Sequence, residues 1–176
     1  DATHTVMLSV MACAIAAQFH PDYDIGKVAQ YALVHDLVEV YAGDVITINY
    51  KDVDKTRKAH DEREALEKIK ERFAGNFDWM YETITAYEKL ADPEARFVKA
   101  LDKSMPGIAQ RLSSSKTINE KFDDPIAFEA SMDAITKDMC DTYAHDQPHA
   151  VTIRKKIIDT LIDEKYAHHG EKRKKK

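Results

Sequence analysis

Apolar residues recur at three- and four-residue spacing through most of the chain, the period of helices with one buried face. Val6, Met7, Val10, Met11, Ala14 and Ala17 predict a first helix from about Thr3 to Phe19, with those side chains inward; His20-Pro21-Asp22 ends it. Asp24 is placed to cap a second helix. Its apolar set, Ile25, Val28, Ala29, Ala32, Val34, Leu37 and Val38, covers more than one side, which predicts a central helix running to a glycine stop at Gly43. Asp44 to Ile48 reads as a short extended or irregular segment. A charged third helix is expected over Val53 to Phe73 and a fourth over Asp78 to Leu90, separated by Gly75-Asn76. Trp79 and Tyr87 in the fourth read as core aromatics rather than a base-stacking platform. Asp92-Pro93-Glu94 opens a fifth helix carrying Ala95, Val98, Leu101, Met105, Ile108 and Leu112. Pro106 interrupts it: proline has no N–H, so the carbonyl of Asp102 loses its helical partner and a kink is expected beside Asp102. Ser113 to Pro125 reads as a polar loop, and helices over Ala127 to Tyr143 and Pro148 to Tyr166 close the chain. The expectation is an all-α bundle of about six to seven helices.

Composition narrows the class. At 176 residues, with five Gly and five Pro, the chain suits one helical domain over residues 1–170, followed by a basic tail at 171–176 that reads as solvated and disordered. A net charge of −5 argues against general nucleic-acid binding, leaving Lys172-Arg173-Lys174-Lys175-Lys176 as a local basic cluster. Cys13 and Cys140 form no CxxC pattern, which fits a reducing cytoplasm; Cys13, in an apolar stripe, is expected to be a buried thiol. The apolar run Val6 to Ala17 has no basic leader and is too short to span a bilayer, so no membrane role is expected. Because a helix starts almost at Asp1, residues ahead of it are expected in the natural protein.

The chemistry concentrates at His35-Asp36, an adjacent pair inside an otherwise apolar helical run, with Glu39 one turn later. Polar side chains in such a helix need partners, and a metal ion is one way to supply them. His4, His35, Asp36 and Asp102 could converge on one ion. Two imidazoles and two carboxylates suit Mn, Co, Fe, Zn or Mg better than an ion that demands thiolates. Taken singly, His4 reads as well as a helix-start residue and Asp102 as half of a salt bridge.

The ordered set Ala2-Thr3-His4-Thr5, Leu33-Val34-His35-Asp36-Leu37-Val38-Glu39, Gly43-Asp44-Val45, Tyr87-Glu88 and Pro93-Glu94-Ala95-Arg96-Phe97-Val98-Lys99-Ala100-Leu101-Asp102-Lys103 resembles the HD-domain metal-dependent phosphohydrolases, most closely their 5′-deoxynucleotidase-like branch. The likeness covers roughly residues 1–112. It implies an HD-domain helical bundle in which His4, His35, Asp36 and Asp102 hold one divalent metal ion. It also implies Glu39 beside the water that the metal activates, and a substrate-contacting segment of Asp44, Val45, Ile46 and Thr47. His4, Asp36 and Asp102 would face substrate as well as metal, and Glu39 and Asp44 would serve catalysis. The branch carries an Arg-Trp pair upstream of its first metal-binding histidine; none precedes His4 in this sequence. Lys103 is placed either to reach a phosphate or to be solvated. His60, His145, His149, His168 and His169 match nothing in the motif and read as structural or surface residues.

The implied activity is hydrolysis of nucleotides, first deoxynucleoside 5′-monophosphates to deoxynucleoside and phosphate. The alternatives are a dNTP triphosphohydrolase, another small-phosphoester hydrolase with the same site, or a non-catalytic nucleotide-binding module. A di-iron bundle would need paired Glu-x-x-His motifs, which the chain lacks. The expected partners are a small-molecule nucleotide and a second copy in a homodimer.

Overall fold

The computed structural model describes residues 2–42 and 55–173, and of residues 55, 56, 58, 59 and 117 the backbone alone. The all-α expectation holds: ten helices and no strand occur among the described residues. Two of the long helices expected from the sequence are each broken in two, and one short helix stands where a loop was expected. Contacts divide the chain into two compact units, Asp1–Ala95 and Arg96–Lys176, each taken by itself below.

In the first unit α1 (Ala2–Phe19) packs along α2 (Ile25–Val34). Leu8, Ala12 and Ala16 are the buried positions of α1, whereas Val6, Val10, Ala14 and Ala17 are exposed. The inward face is therefore not the expected one. Apolar residues surround this helix, so their spacing could not single out a side; the small Ala12 and Ala16 sit where α2 comes close. By length and composition α1 is also long and apolar enough to cross a membrane, longer than the apolar run alone suggested. Cys13 is only half-buried, though burial still raises its thiol pKa.

Asp24 caps α2 as expected, accepting from the Lys27 amide at 3.2 Å. Asp92 then ties the middle of α2 to the start of α6 (Pro93–Asp102). Its carboxylate accepts from the Tyr31 hydroxyl at 2.7 Å, the Lys27 ammonium at 3.1 Å and the Ala95 amide at 2.9 Å. Burial opposes its ionisation, but these three donors outweigh burial and hold its pKa below the usual carboxylate value.

The second helix does not run to Gly43. It stops at Val34, and the turn at 35–38 leads into the one-turn α3 (Glu39–Ala42). The amides of Leu37, Glu39, Val40 and Tyr41 reach back three residues, to Val34, Asp36, Leu37 and Val38, at 3.0–3.3 Å. That is the tighter i→i−3 winding that often marks functional breaks. Val34 and Val38 anchor the turn against Ala65 and Ile69 of α4 (Lys55–Phe73) and Ile84 of α5 (Asp78–Glu88).

In the second unit α6 ends at Asp102 and α7 spans Met105–Leu112. The kink expected from Pro106 is a full break over Lys103 and Ser104. The Ser104 amide reaches back three residues to Leu101 at 2.8 Å. Short α8 (Lys116–Lys121) occupies part of the expected 113–125 loop and follows Ser114 and Ser115, both with φ near +56°. α9 (Pro125–Tyr143) is capped by Asp124, with Pro125 in its first turn, and α10 (Pro148–His168) packs on α7, α8 and α9. Phe128, Ile158, Leu161 and Ile162 form one core cluster; Ala100, Met139, Tyr143 and Ala150 form another. Arg173, expected in a solvated tail, instead bonds Glu129 and Asp159 at 2.8 and 2.9 Å, while residues 174–176 lie outside the described set.

Arg96 fixes the α9–α10 turn. It grips both oxygens of Asp146, donates to the Thr142 carbonyl at 3.1 Å and lies over the Tyr143 ring. The guanidinium hydrogen bonds hold the Asp146 pKa below its ordinary 3.8 despite partial burial. A lowered folded-state pKa stabilises the fold above 3.8, and that contribution fades as pH falls through the folded-state value. Asp146→Asn is accordingly expected to cost about 1 kcal/mol at neutral pH. In thermal melts the gap to wild type should close on acidification below about pH 4.

Candidate metal centre

The first turn of α1 carries His4 and the end of α2 carries His35, and the packing of these two helices brings the imidazoles together. His4 Nε2 lies 3.0 Å from His35 Nε2, with ring centroids 5.0 Å apart. Asp36 joins them: its Oδ1 is 3.0 Å from His35 Nε2 and its Oδ2 is 3.9 Å from His4 Nε2. His35 is buried, while His4 and Asp36 are half-buried.

The second nitrogen of His35 explains what this arrangement demands. His35 Nδ1 is 2.8 Å from the Ala32 carbonyl oxygen, which can only accept, so Nδ1 carries a proton and donates it. In neutral imidazole the lone pair is then on Nε2 and points at the Asp36 carboxylate and His4 together. The His35 lone pair and the Asp36 carboxylate, 3.0 Å apart, repel each other unless a proton or a cation lies between them, whereas His4 can meet His35 either through an Nε2–H donor or through a shared cation. Ligands about 2.1 Å from an ion and at right angles are about 3 Å apart, so the two 3.0 Å spacings suit a shared divalent ion. The Nδ1–carbonyl bond also supplies the outer contact that metal-ligating histidines usually make. Burial raises the Asp36 pKa, but with the imidazoles protonated the hydrogen bond and charge of His35, followed by the charge of His4, outweigh it and hold the carboxylate below its usual value.

The same bond falls at the helix break. In an uninterrupted helix the Ala32 carbonyl would receive the Asp36 amide. Here the His35 side chain takes a share of that carbonyl, and the backbone beyond winds tighter. The buried Tyr87 ring stands nearly perpendicular to His35 at 6.4 Å between centroids, and Tyr31 packs against Tyr87 at 6.1 Å. Sequence reasoning treated Tyr87 as core alone; its place in the motif beside Glu88 was the available signal.

The other expected residues are placed as follows. Glu39 is half-buried and begins α3. The break at 35–38 takes it off the continuous helix, one turn beyond His35, that the sequence predicts, so its approach depends on the turn rather than on helical period. Asp44, Val45, Ile46 and Thr47 lie outside the described residues. Asp102 is half-buried at the end of α6, in the second unit. Lys103 is half-buried rather than solvated. Burial lowers its pKa against the pull of Asp138, Lys99 adds to the lowering, and Asp102 opposes it. His60 is exposed beside Asp61 and Glu64 on α4, and His145 is exposed beside Asp146. A groove of about 350 Å³ opens next to Asp36, lined by Ala2, Val6, Leu33, Leu37 and Val40, with Thr5 on one side.

The HD-domain family model matches residues 1–152, and the chain belongs to that family. HD domains are typically metal-dependent hydrolases, which makes metal-dependent phosphohydrolase chemistry the general activity of the class. No curated protein and no solved structure matches the chain.

His35→Ala should weaken Mn²⁺ binding at least about 100-fold in calorimetric titration, since losing a ligand costs no less than losing its outer contact. Protons compete for the same imidazole lone pairs, so wild-type affinity should fall as pH drops from about 8 to about 6. Unchanged affinity in the variant would remove His35 from the metal set.

Proposed function

We propose that the protein hydrolyses nucleotides, with deoxynucleoside 5′-monophosphates as its substrates and deoxynucleoside and phosphate as its products. The observation that carries this reading is the meeting of His35 Nε2 with His4 Nε2 and Asp36 Oδ1, each at 3.0 Å, with the His35 lone pair turned inward. His4, His35 and Asp36 would hold one Mn, Co, Fe, Zn or Mg ion, with Asp102 as the fourth ligand that the family resemblance implies. Such an ion, when bound, neutralises phosphate charge and lowers the pKa of water.

The chain's own groups do the rest. Asp36, kept ionised by its histidine neighbours, stays an anionic ligand at neutral pH. The Ala32 carbonyl holds the His35 ring in one tautomer. Glu39 orients the attacking water or takes its proton, and Asp44, Val45, Ile46 and Thr47 contact substrate. A second reading, a triphosphate substrate, draws on Lys99 and Lys103, two cations close enough to feel each other's charge on either side of Asp102. Product analysis separates the two: orthophosphate marks the monophosphatase and inorganic triphosphate the alternative.

The test is phosphate release from a panel of nucleoside and deoxynucleoside phosphates with Mn²⁺ or Co²⁺. Deoxynucleoside 5′-monophosphates should turn over fastest. Glu39→Gln should lower kcat by about 10²–10⁴-fold while the Mn²⁺ dissociation constant stays unchanged. Bound metal with no product from any nucleotide would overturn the reading.

A further inference from the structure

The second unit holds a buried arginine whose cost calls for an explanation. Arg154, on α10, is 5% exposed. Its Nε is buried without a hydrogen-bond partner, and burial lowers its pKa. A cation in this setting is expensive unless it does something an apolar residue could not. What it does is specific: Nη1 donates to the backbone carbonyl of Lys103.

That carbonyl belongs to the residue after Asp102, inside the two-residue break between α6 and α7. Pro106 has no N–H to offer the Asp102 carbonyl, so the Ser104–Leu101 and Ile108–Ser104 backbone bonds carry the ladder across the break. The end of α6 is also the negative end of its dipole, where a cation is favoured. The far side of the break is tied to the same helix. A Cβ on Gly107 would lie 2.8 Å from Ile157 Cγ2, so α7 sits flush on α10. Both edges of the break therefore rest on the 154–158 stretch of α10.

We propose that Arg154 is a positioning residue for Asp102: by bonding the Lys103 carbonyl it sets the direction in which the last side chain of α6 presents its carboxylate. The inference rests on the reading of Asp102 as a metal ligand. Arg154 touches neither metal nor substrate in this scheme. It holds the carbonyl next to the one that Pro106 cannot serve and limits how far the α6 terminus can rotate.

Mn²⁺ affinity, measured by calorimetry on the full chain, tests this beside the thermal melting of the metal-free protein. Arg154→Met keeps length and burial without the donor. It should raise the dissociation constant about 10–100-fold, as loss of an outer contact to a metal ligand does. Arg154→Lys, with one donor of shorter reach, should fall between. Ile158→Val, a packing change on the same helix, should lower the melting temperature and leave the dissociation constant at the wild-type value, which separates positioning from stability. A wild-type constant in Arg154→Met overturns the proposal. If that variant does not fold, Arg154→Lys decides: several-fold weaker binding supports it and wild-type binding overturns it. A wild-type protein that binds no divalent ion overturns the metal reading and this role together, whereas wild-type binding with an unmoved Arg154→Met constant overturns this role alone.

Discussion

The hydrogen bond from His35 Nδ1 to the Ala32 carbonyl is the constraint on which the first unit turns. It is a local contact between residues three apart, yet it acts at three levels. It chooses the tautomer, and so places the lone pair of Nε2. It competes for a carbonyl of the helix ladder at the point where α2 ends and the site begins. It also holds the ring in the one orientation from which Nε2 meets both His4 and Asp36. A rotated ring would leave Asp36 as a half-buried carboxylate with a weaker electrostatic reason to stay ionised.

Around that bond the unit is built for rigidity. Asp92 gathers a hydroxyl, an ammonium and an amide, and thereby joins α2 to the first turn of α6. Tyr31 and Tyr87 pack in sequence from that junction toward His35, so the buried histidine is backed by aromatic surface. The tight turn that follows is pinned through Val34 and Val38 to α4 and α5. Backing of this kind keeps His4, His35 and Asp36 close together in a fixed geometry.

In the second unit the corresponding element is α10. Its apolar face forms the core with Ile118 and Phe128, and Gly107 lets α7 lie directly on it. Proline breaks a helix just after Asp102, one of the carboxylates in the family resemblance, and the backbone at the break is bonded from α10 by a buried arginine. The polar network at Arg96, Asp146 and Thr142 performs a similar service for the turn between α9 and α10. In both places an arginine bridges to a backbone carbonyl some fifty residues away in sequence.

Local patterns determined much of this. The all-α class, the Asp24 and Asp124 caps, the break beside Asp102 and the likeness to HD domains follow from residue types at short spacing, because helix periodicity, capping and the missing proline N–H act within a few residues. Tertiary structure decided the remainder. The inward face of α1 could not be read, since apolar residues surround that helix and only the approach of α2 selects Leu8, Ala12 and Ala16. The stop at Val34 was hidden because every residue from Ile25 to Ala42 fits helical spacing, and the side-chain bond to a carbonyl at the break leaves no mark on that spacing. The role open to Arg154 was invisible for the same physical reason: a hydrogen bond between residues 51 apart leaves no trace in local pattern, and only packing brings donor and acceptor together.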